Sequence, residues 1–180
     1  MFFTFYKIFD VKDHNLRKED ILFHMRESGR IWPNEDGTTQ KSWISNTDWK
    51  DGENKQVEWM ERAFSLRDLK RIKRITKSTR CTSAWFNQYN PNTGSPHPWH
   101  SHKNENSPLP FNDLTNIYFV ELKDYSLRPI LKHPKSGKEI IPRVKEGQIL
   151  SFSADILHMS PQNYTTTRKS VLSFNTLLSK

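Results

Sequence analysis

The chain has a single cysteine, Cys81, in 180 residues. That excludes an intramolecular disulfide and any cysteine-based zinc site, so a bound metal must be held by histidine and carboxylate side chains. The sequence nowhere approaches the roughly 18 consecutive apolar residues of a membrane span, so no transmembrane helix and no membrane partner are expected. Its opening, Met1-Phe2-Phe3-Thr4-Phe5-Tyr6, is apolar but has neither a basic leader nor a small-residue cleavage site. It reads as a first strand in a cytoplasmic protein. Internal repeats and low-complexity tracts are also missing.

Hydrophobic residues make up only 34% of the chain, but 11 Phe, 6 Trp and 5 Tyr compensate, because each aromatic buries a large area. One domain with a real core is expected over 1–180. It divides into an N-terminal strand, loop and basic helix (1–80) and a strand-rich core (81–180). The net charge is +8, which permits an anionic partner. Seven of the basic residues fall between Leu66 and Arg80: Arg67, Lys70, Arg71, Lys73, Arg74, Lys77 and Arg80. A solvated helix face is the commoner meaning of such a run, and a nucleic-acid-binding face the sharper one.

Hydrophobic spacing predicts a strand over Met1–Asp10, a short helix over Lys18–Glu27 ending near Gly29, and one long helix over Glu53–Lys77. In the long helix Leu66, Leu69, Ile72 and Ile75 recur every three residues. Between them, Trp32–Asn54 reads as a structured loop pinned by Trp43 and Trp49. From Cys81 onward, short runs rich in aromatic and β-branched residues alternate with turn signals. Strands are predicted over 82–90, 115–122, 127–132, 139–144, 148–153 and 169–178. The fold class expected is α+β: a double-stranded β-helix, or jelly roll, buttressed by N-terminal helices.

Three of the seven histidines lie within six positions, in His97-Pro98-Trp99-His100-Ser101-His102. Alternate residues on a strand share a face, so His100 and His102 can reach one metal together, and His158, at the end of a predicted strand, can close the set. His97 is out of phase with the pair and falls outside it. Arg168 opens the last strand with Ser170 on its face, and a guanidinium beside a hydroxyl suits a carboxylate. Trp85, Phe86, Trp99, Phe111 and Phe119 are candidates for dry walls.

These residues resemble the 2-oxoglutarate and iron(II)-dependent oxygenases over Cys81–Asn175, about half of the chain. The matching pieces are Asn87-Gln88-Tyr89 with Gly94, His100-Ser101-His102, the Gly147–Phe152 strand, His158, and Arg168 through Asn175. The ending is most similar to oxygenases of phages and marine bacteria related to prolyl hydroxylases. The resemblance implies a hydroxylase that uses Fe(II), 2-oxoglutarate and O2, and releases succinate and CO2. His100, His102 and His158 would be the metal and catalytic residues. Arg168 and Ser170 would hold the cosubstrate's far carboxylate, with Asn87, Tyr89 and Tyr118 as further contacts. The implied substrate is a protein side chain, such as a prolyl residue, or a small molecule.

One departure stands out. Most of that family places an acid where this chain has His102; Glu105 and Asp155 are the acids nearest the histidines in sequence. Two other readings stay open. A cupin-type site would use the three histidines and leave Arg168 and Ser170 without a role. A nucleic-acid-binding module would rest on the basic helix, or, as a hybrid, base repair, although the second arginine usual in repair oxygenases is replaced by Phe174.

Overall fold

The computed structural model describes residues 5–29, 44–48, 56–92, 95–103 and 113–179. Two antiparallel sheets carry the architecture. Six strands form the larger: β1 (Tyr6–Asp10), β8 (Gln148–Ser153), β5 (Leu114–Leu122), β10 (Lys169–Leu178), β3 (Ser78–Tyr89) and β2 (Asn46–Thr47), in that spatial order. The smaller has β4 (His97–His100), β9 (His158–Ser160), β6 (Ile130–Lys132) and β7 (Glu139–Ile140). The jumps in strand order, with neighbours far apart in sequence, are those of a double-stranded β-helix. The expected class is therefore the observed one. Among the described residues, no helix is long and apolar enough to cross a membrane.

The larger sheet is covered on both faces, and strict alternation decides what each residue meets. On one face Ala84 and Phe86 of β3, Tyr118 and Val120 of β5, and Leu172 and Phe174 of β10 join a core with the helices. Trp59, Phe64, Ile21 and Met25 supply the helical side. The rings interlock edge-on: Trp59 with Phe86 at 5.4 Å and Phe64 with Phe174 at 5.6 Å. On the other face Tyr89, Ile117, Phe119, Leu150, Phe152 and Val171 meet Leu131 and Val144 in a second core.

The helices differ from the sequence expectation. Helix α1 runs over His14–Ser28, longer than predicted, and stops at Gly29, whose N–H reaches Met25 O. The long helix expected over Glu53–Lys77 is two, α2 (Gln56–Ala63) and α3 (Leu66–Thr76). The break comes at Ser65, whose side chain accepts from the Asp68 N–H at 3.2 Å and starts a new helix. Leu66, assigned to the buried stripe by its spacing, is instead 77% exposed in that first turn. Asp68 is turned inward and accepts from the backbone N–H groups of Lys12 and Asp13, which clamps α3 to the start of α1.

Most of the loop expected over Trp32–Asn54, including Trp43 and Trp49, lies outside the described residues. Its described part pairs with the sheet edge, Asn46 opposite Gln88 and Thr47 opposite Asn87. Asp48 accepts from the Phe86 N–H and from the Trp59 indole.

Candidate metal centre

The cross-strand pairing of β4 and β9 sets His100 directly opposite His158. His102 is not on the strand. It lies just past the end of β4, held by its own N–H and that of Lys103, both donating to Ala154 O. The three rings converge: one nitrogen from each lies within 4.8 Å of the others. Ring centroids are 4.2 Å apart for His100 and His158, 5.0 Å for His102 and His158, and 5.3 Å for His100 and His102.

Each ring has its Nδ1 engaged. His100 Nδ1 meets Pro98 O at 2.8 Å, His158 Nδ1 meets Ile156 O at 3.1 Å, and His102 Nδ1 meets Asn175 Oδ1 at 2.8 Å. A carbonyl oxygen can only accept, so every Nδ1 carries the proton and every Nε2 keeps its lone pair. The Asn175 amide is itself oriented, because its Nδ2 donates to Ser83 Oγ at 2.9 Å. Burial then keeps the rings neutral. It pushes His102 down to about 4, holds His158 well below its ordinary range, and lowers His100 as well. Three neutral, pre-oriented imidazoles fit a transition metal. No carboxylate joins them among the described residues: Asp155 is exposed, and Glu105 lies outside the described residues.

The histidines open into a cavity between the sheets, lined further by Trp85, Asn87, Tyr89, His97, Phe119 and Lys169. Asn87, Tyr89, Trp85 and Phe119 thus share the cavity wall with the histidines. Phe86 faces the helices, Trp99 lies under the Lys132 ammonium at 4.7 Å, and Phe111 and Gly94 lie outside the described residues.

The structure does not bring Arg168, Ser170 or Tyr118 to this cavity. Arg168 and Ser170 do share a face, but it is the helix-side face of β10. There Arg168 forks onto Glu121 at 2.8 and 3.3 Å, and Ser170 Oγ donates to Glu121 at 2.5 Å. Tyr118 lies on the same side of the sheet, its hydroxyl 2.7 Å from His14 Nδ1. Alternation puts the intervening Lys169 into the cavity instead, with Val171 and Ser173.

Lys169 is 2% exposed. Its ammonium donates to Leu127 O at 3.0 Å and to Ser160 Oγ, and sits 4.2 Å above the Tyr89 ring. Among the described residues no carboxylate forms an ion pair with it. Desolvation alone pushes it down to about 7. An unpaired buried cation is costly, and an incoming anion removes that cost.

Sequence reasoning missed Lys169, Asn175 and the place of His97. His97 lies outside the three-nitrogen group, yet its ring stacks on His100 at 4.3 Å and 9°. Its Nδ1 is 3.0 Å from the Tyr89 hydroxyl. It therefore braces a metal-facing ring against the wall that covers Lys169. Asn163, fully buried, donates to Tyr89 O and Thr167 O and shapes the turn leading into β10. Both faces of β10 are buried over Lys169–Thr176, so alternation along the strand did not single out Lys169.

No protein-family model matches the chain, and no curated protein matches it. Solved structures do. A prolyl-4-hydroxylase from Pseudomonas putida is 9% identical, with 99% of this chain and 95% of that one covered and a TM-score of 0.64. The viral collagen prolyl hydroxylase of Paramecium bursaria Chlorella virus-1, in complex with 2-oxoglutarate, is 11% identical, with 99% and 98% covered and a TM-score of 0.60. The non-heme α-ketoglutarate-dependent epimerase of nogalamycin biosynthesis is 13% identical, with 97% and 78% covered and a TM-score of 0.68. The chain shares their fold. At these identities the likeness concerns the double-stranded β-helix, and the chemistry must be argued from the side chains.

Proposed function

We propose that the chain is an iron(II)- and 2-oxoglutarate-dependent oxygenase, with His100, His102 and His158 holding the metal and Lys169 holding the cosubstrate's far carboxylate. The observation that carries this reading is the pairing of two groups in one cavity: three neutral imidazoles with one nitrogen of each converging, and a buried ammonium with no carboxylate ion-paired to it among the described residues. A dicarboxylate completes both. Ser160, which holds Lys169, is two residues from His158 on β9, a span of about 6.6 Å at 3.3 Å per residue. That is the length scale of a five-carbon dicarboxylic acid.

Bound iron would supply oxygen activation coupled to decarboxylation of 2-oxoglutarate. The chain's own residues do the rest. Pro98 O, Ile156 O and Asn175 fix the three rings in the ligating tautomer. Tyr89 and Ser160 aim the Lys169 ammonium, and Asn87 adds an amide to the same wall. Trp85, Phe119 and Phe152 exclude water from the cavity. Replacing the usual acid by His102 leaves the metal one negative charge short, so the cosubstrate's own carboxylates carry more of the charge balance. The lysine separates this reading from a cupin, which has no use for a buried cation beside its metal.

The substrate class we favour is a protein side chain, a prolyl residue foremost, with a small molecule second. Among the similar structures are a prolyl hydroxylase from Trichoplax adhaerens in complex with a peptide fragment and an epimerase in complex with nogalamycin RO. Anaerobic titration with Fe(II) and 2-oxoglutarate tests the core of the proposal. A metal-to-ligand charge-transfer band, lost in Lys169→Met but retained in Arg168→Ala, is expected. Absence of the band at saturating cosubstrate sinks it.

A further inference from the structure

Helix α3 lies across the larger sheet from the metal centre, and the proposed chemistry makes no use of its outer face. Its inner face is spoken for: Asp68, Ile72 and Thr76 are buried, and Leu69 and Ile75 pack on the core. Opposite them, Arg67, Lys70, Arg71 and Arg74 fall within an arc of about 100° at 100° per residue. With Lys12 they line a concavity in which, among the described residues, every lining side chain is basic. The one acid of α3, Asp68, is 1% exposed and committed to the Lys12 and Asp13 backbone. It offers the groove no internal counterion.

We propose that this groove binds the phosphate backbone of a double-stranded nucleic acid, without reading its sequence. Three guanidiniums offer forked donors that match phosphate oxygens. The cations recur once per helical turn of about 5.4 Å, the scale of successive phosphates along a strand. Lys77 and Arg80, which follow α3 in the chain, are exposed as well. Among the described residues, no aromatic side chain lines the groove. That removes the stacking platform on which single-stranded bases are held. Base-edge recognition has no support either, so contact through the backbone charge is what remains.

The test is fluorescence anisotropy with a labelled mixed-sequence DNA duplex and the full chain, without metal or 2-oxoglutarate. Its outcome is thus independent of the oxygenase reading, and failure of either leaves the other standing. Binding is expected to weaken about 100-fold or more between about 50 and 200 mM salt, the slope of some four phosphate contacts. The triple charge reversal R67E/R71E/R74E should weaken it at least tenfold at low salt. The milder R67Q/R71Q/R74Q should flatten the salt slope with an unchanged melting curve. Three results overturn the proposal: no binding at about 50 mM salt; equal affinity for polyglutamate, which would assign the face to acidic protein; or unaltered duplex binding in the neutralised variant.

Discussion

The two faces of β10 carry different burdens. Toward the helices, Leu172 and Phe174 are fully buried among aromatic rings, and Arg168 and Ser170 are tied to Glu121. Toward the second sheet, Lys169, Ser173 and Asn175 are nearly as buried but polar, and they surround the metal-competent histidines. One face is a dry core that holds the sheet. The other hides polar groups beside the cavity. Neighbouring residues in sequence therefore have opposite fates: Lys169 enters the cavity while Arg168 pairs with Glu121 on the other face.

The sharpest way to break this contrast is to delete one side chain from each face. Phe174→Ala should cost about 3–5 kcal/mol of stability, a fall in Tm of roughly 6–20 °C for a chain of this size. Calorimetry would read it, and the folded fraction should still bind Fe(II). His158→Ala should do the reverse, abolishing detectable Fe(II) binding in an anaerobic titration while Tm moves by only a few degrees. If His158→Ala unfolds the chain and leaves metal binding intact, the two faces do not divide the labour this way.

Next in size is the pair Lys169 and Arg168. Lys169→Met removes a buried cation that has no ion-pair partner among the described residues, so stability should hold or rise. The affinity for 2-oxoglutarate should fall about 10–100-fold, as charge-assisted contacts worth about 1.5–3 kcal/mol are lost. Arg168→Ala should change that affinity by less than about threefold, by isothermal titration. Equal losses in both variants would return the carboxylate clamp to Arg168.

A pH series sharpens the same point. Burial depresses Lys169 from 10.5 to about 7, so the empty protein sheds its proton above neutrality while the unfolded chain keeps it. Between those values the unfolded chain binds more protons, and the empty protein's stability should gain from this group as pH rises. Cosubstrate binding has the opposite slope. A carboxylate prefers the protonated ammonium, so the Kd for 2-oxoglutarate should rise above pH 7, by up to about tenfold per unit. Lys169→Met should flatten both dependences.

The smallest effect concerns Asn175, which touches a ligand ring rather than the metal site itself. Asn175→Ala frees His102 to rotate and to change tautomer, and metal affinity should drop about tenfold with little change in Tm. Asn175→Asp should restore or raise it, since a carboxylate also accepts from Nδ1. A loss in both variants would mean that the amide acts on packing.

Much of this was legible in the sequence, where patterns were one-sided. Strand β10 runs over 169–178 as its residues suggest, and α1 stops at Gly29. The break at Ser65 was written in Ser-x-x-Asp, a capping signal obscured by an uninterrupted run of helix formers on both sides. The orientation of β10 was hidden because both of its faces are buried, so hydrophobic alternation marks neither as the interior. Strands β4 and β9 have four and three residues, too few for any periodicity. They nonetheless place His100 against His158.

That last pairing has a mechanical side. Among the described residues, strand β4 is an edge of the smaller sheet, paired only with β9. An ion shared by His100 and His158 would act as a reversible clasp between points about 58 residues apart. In chain-entropy terms such a closure is worth on the order of 4 kcal/mol. Protease resistance around residues 97–103 would then report metal occupancy, with the edge strand fraying when the clasp is open and fastened when it is shut.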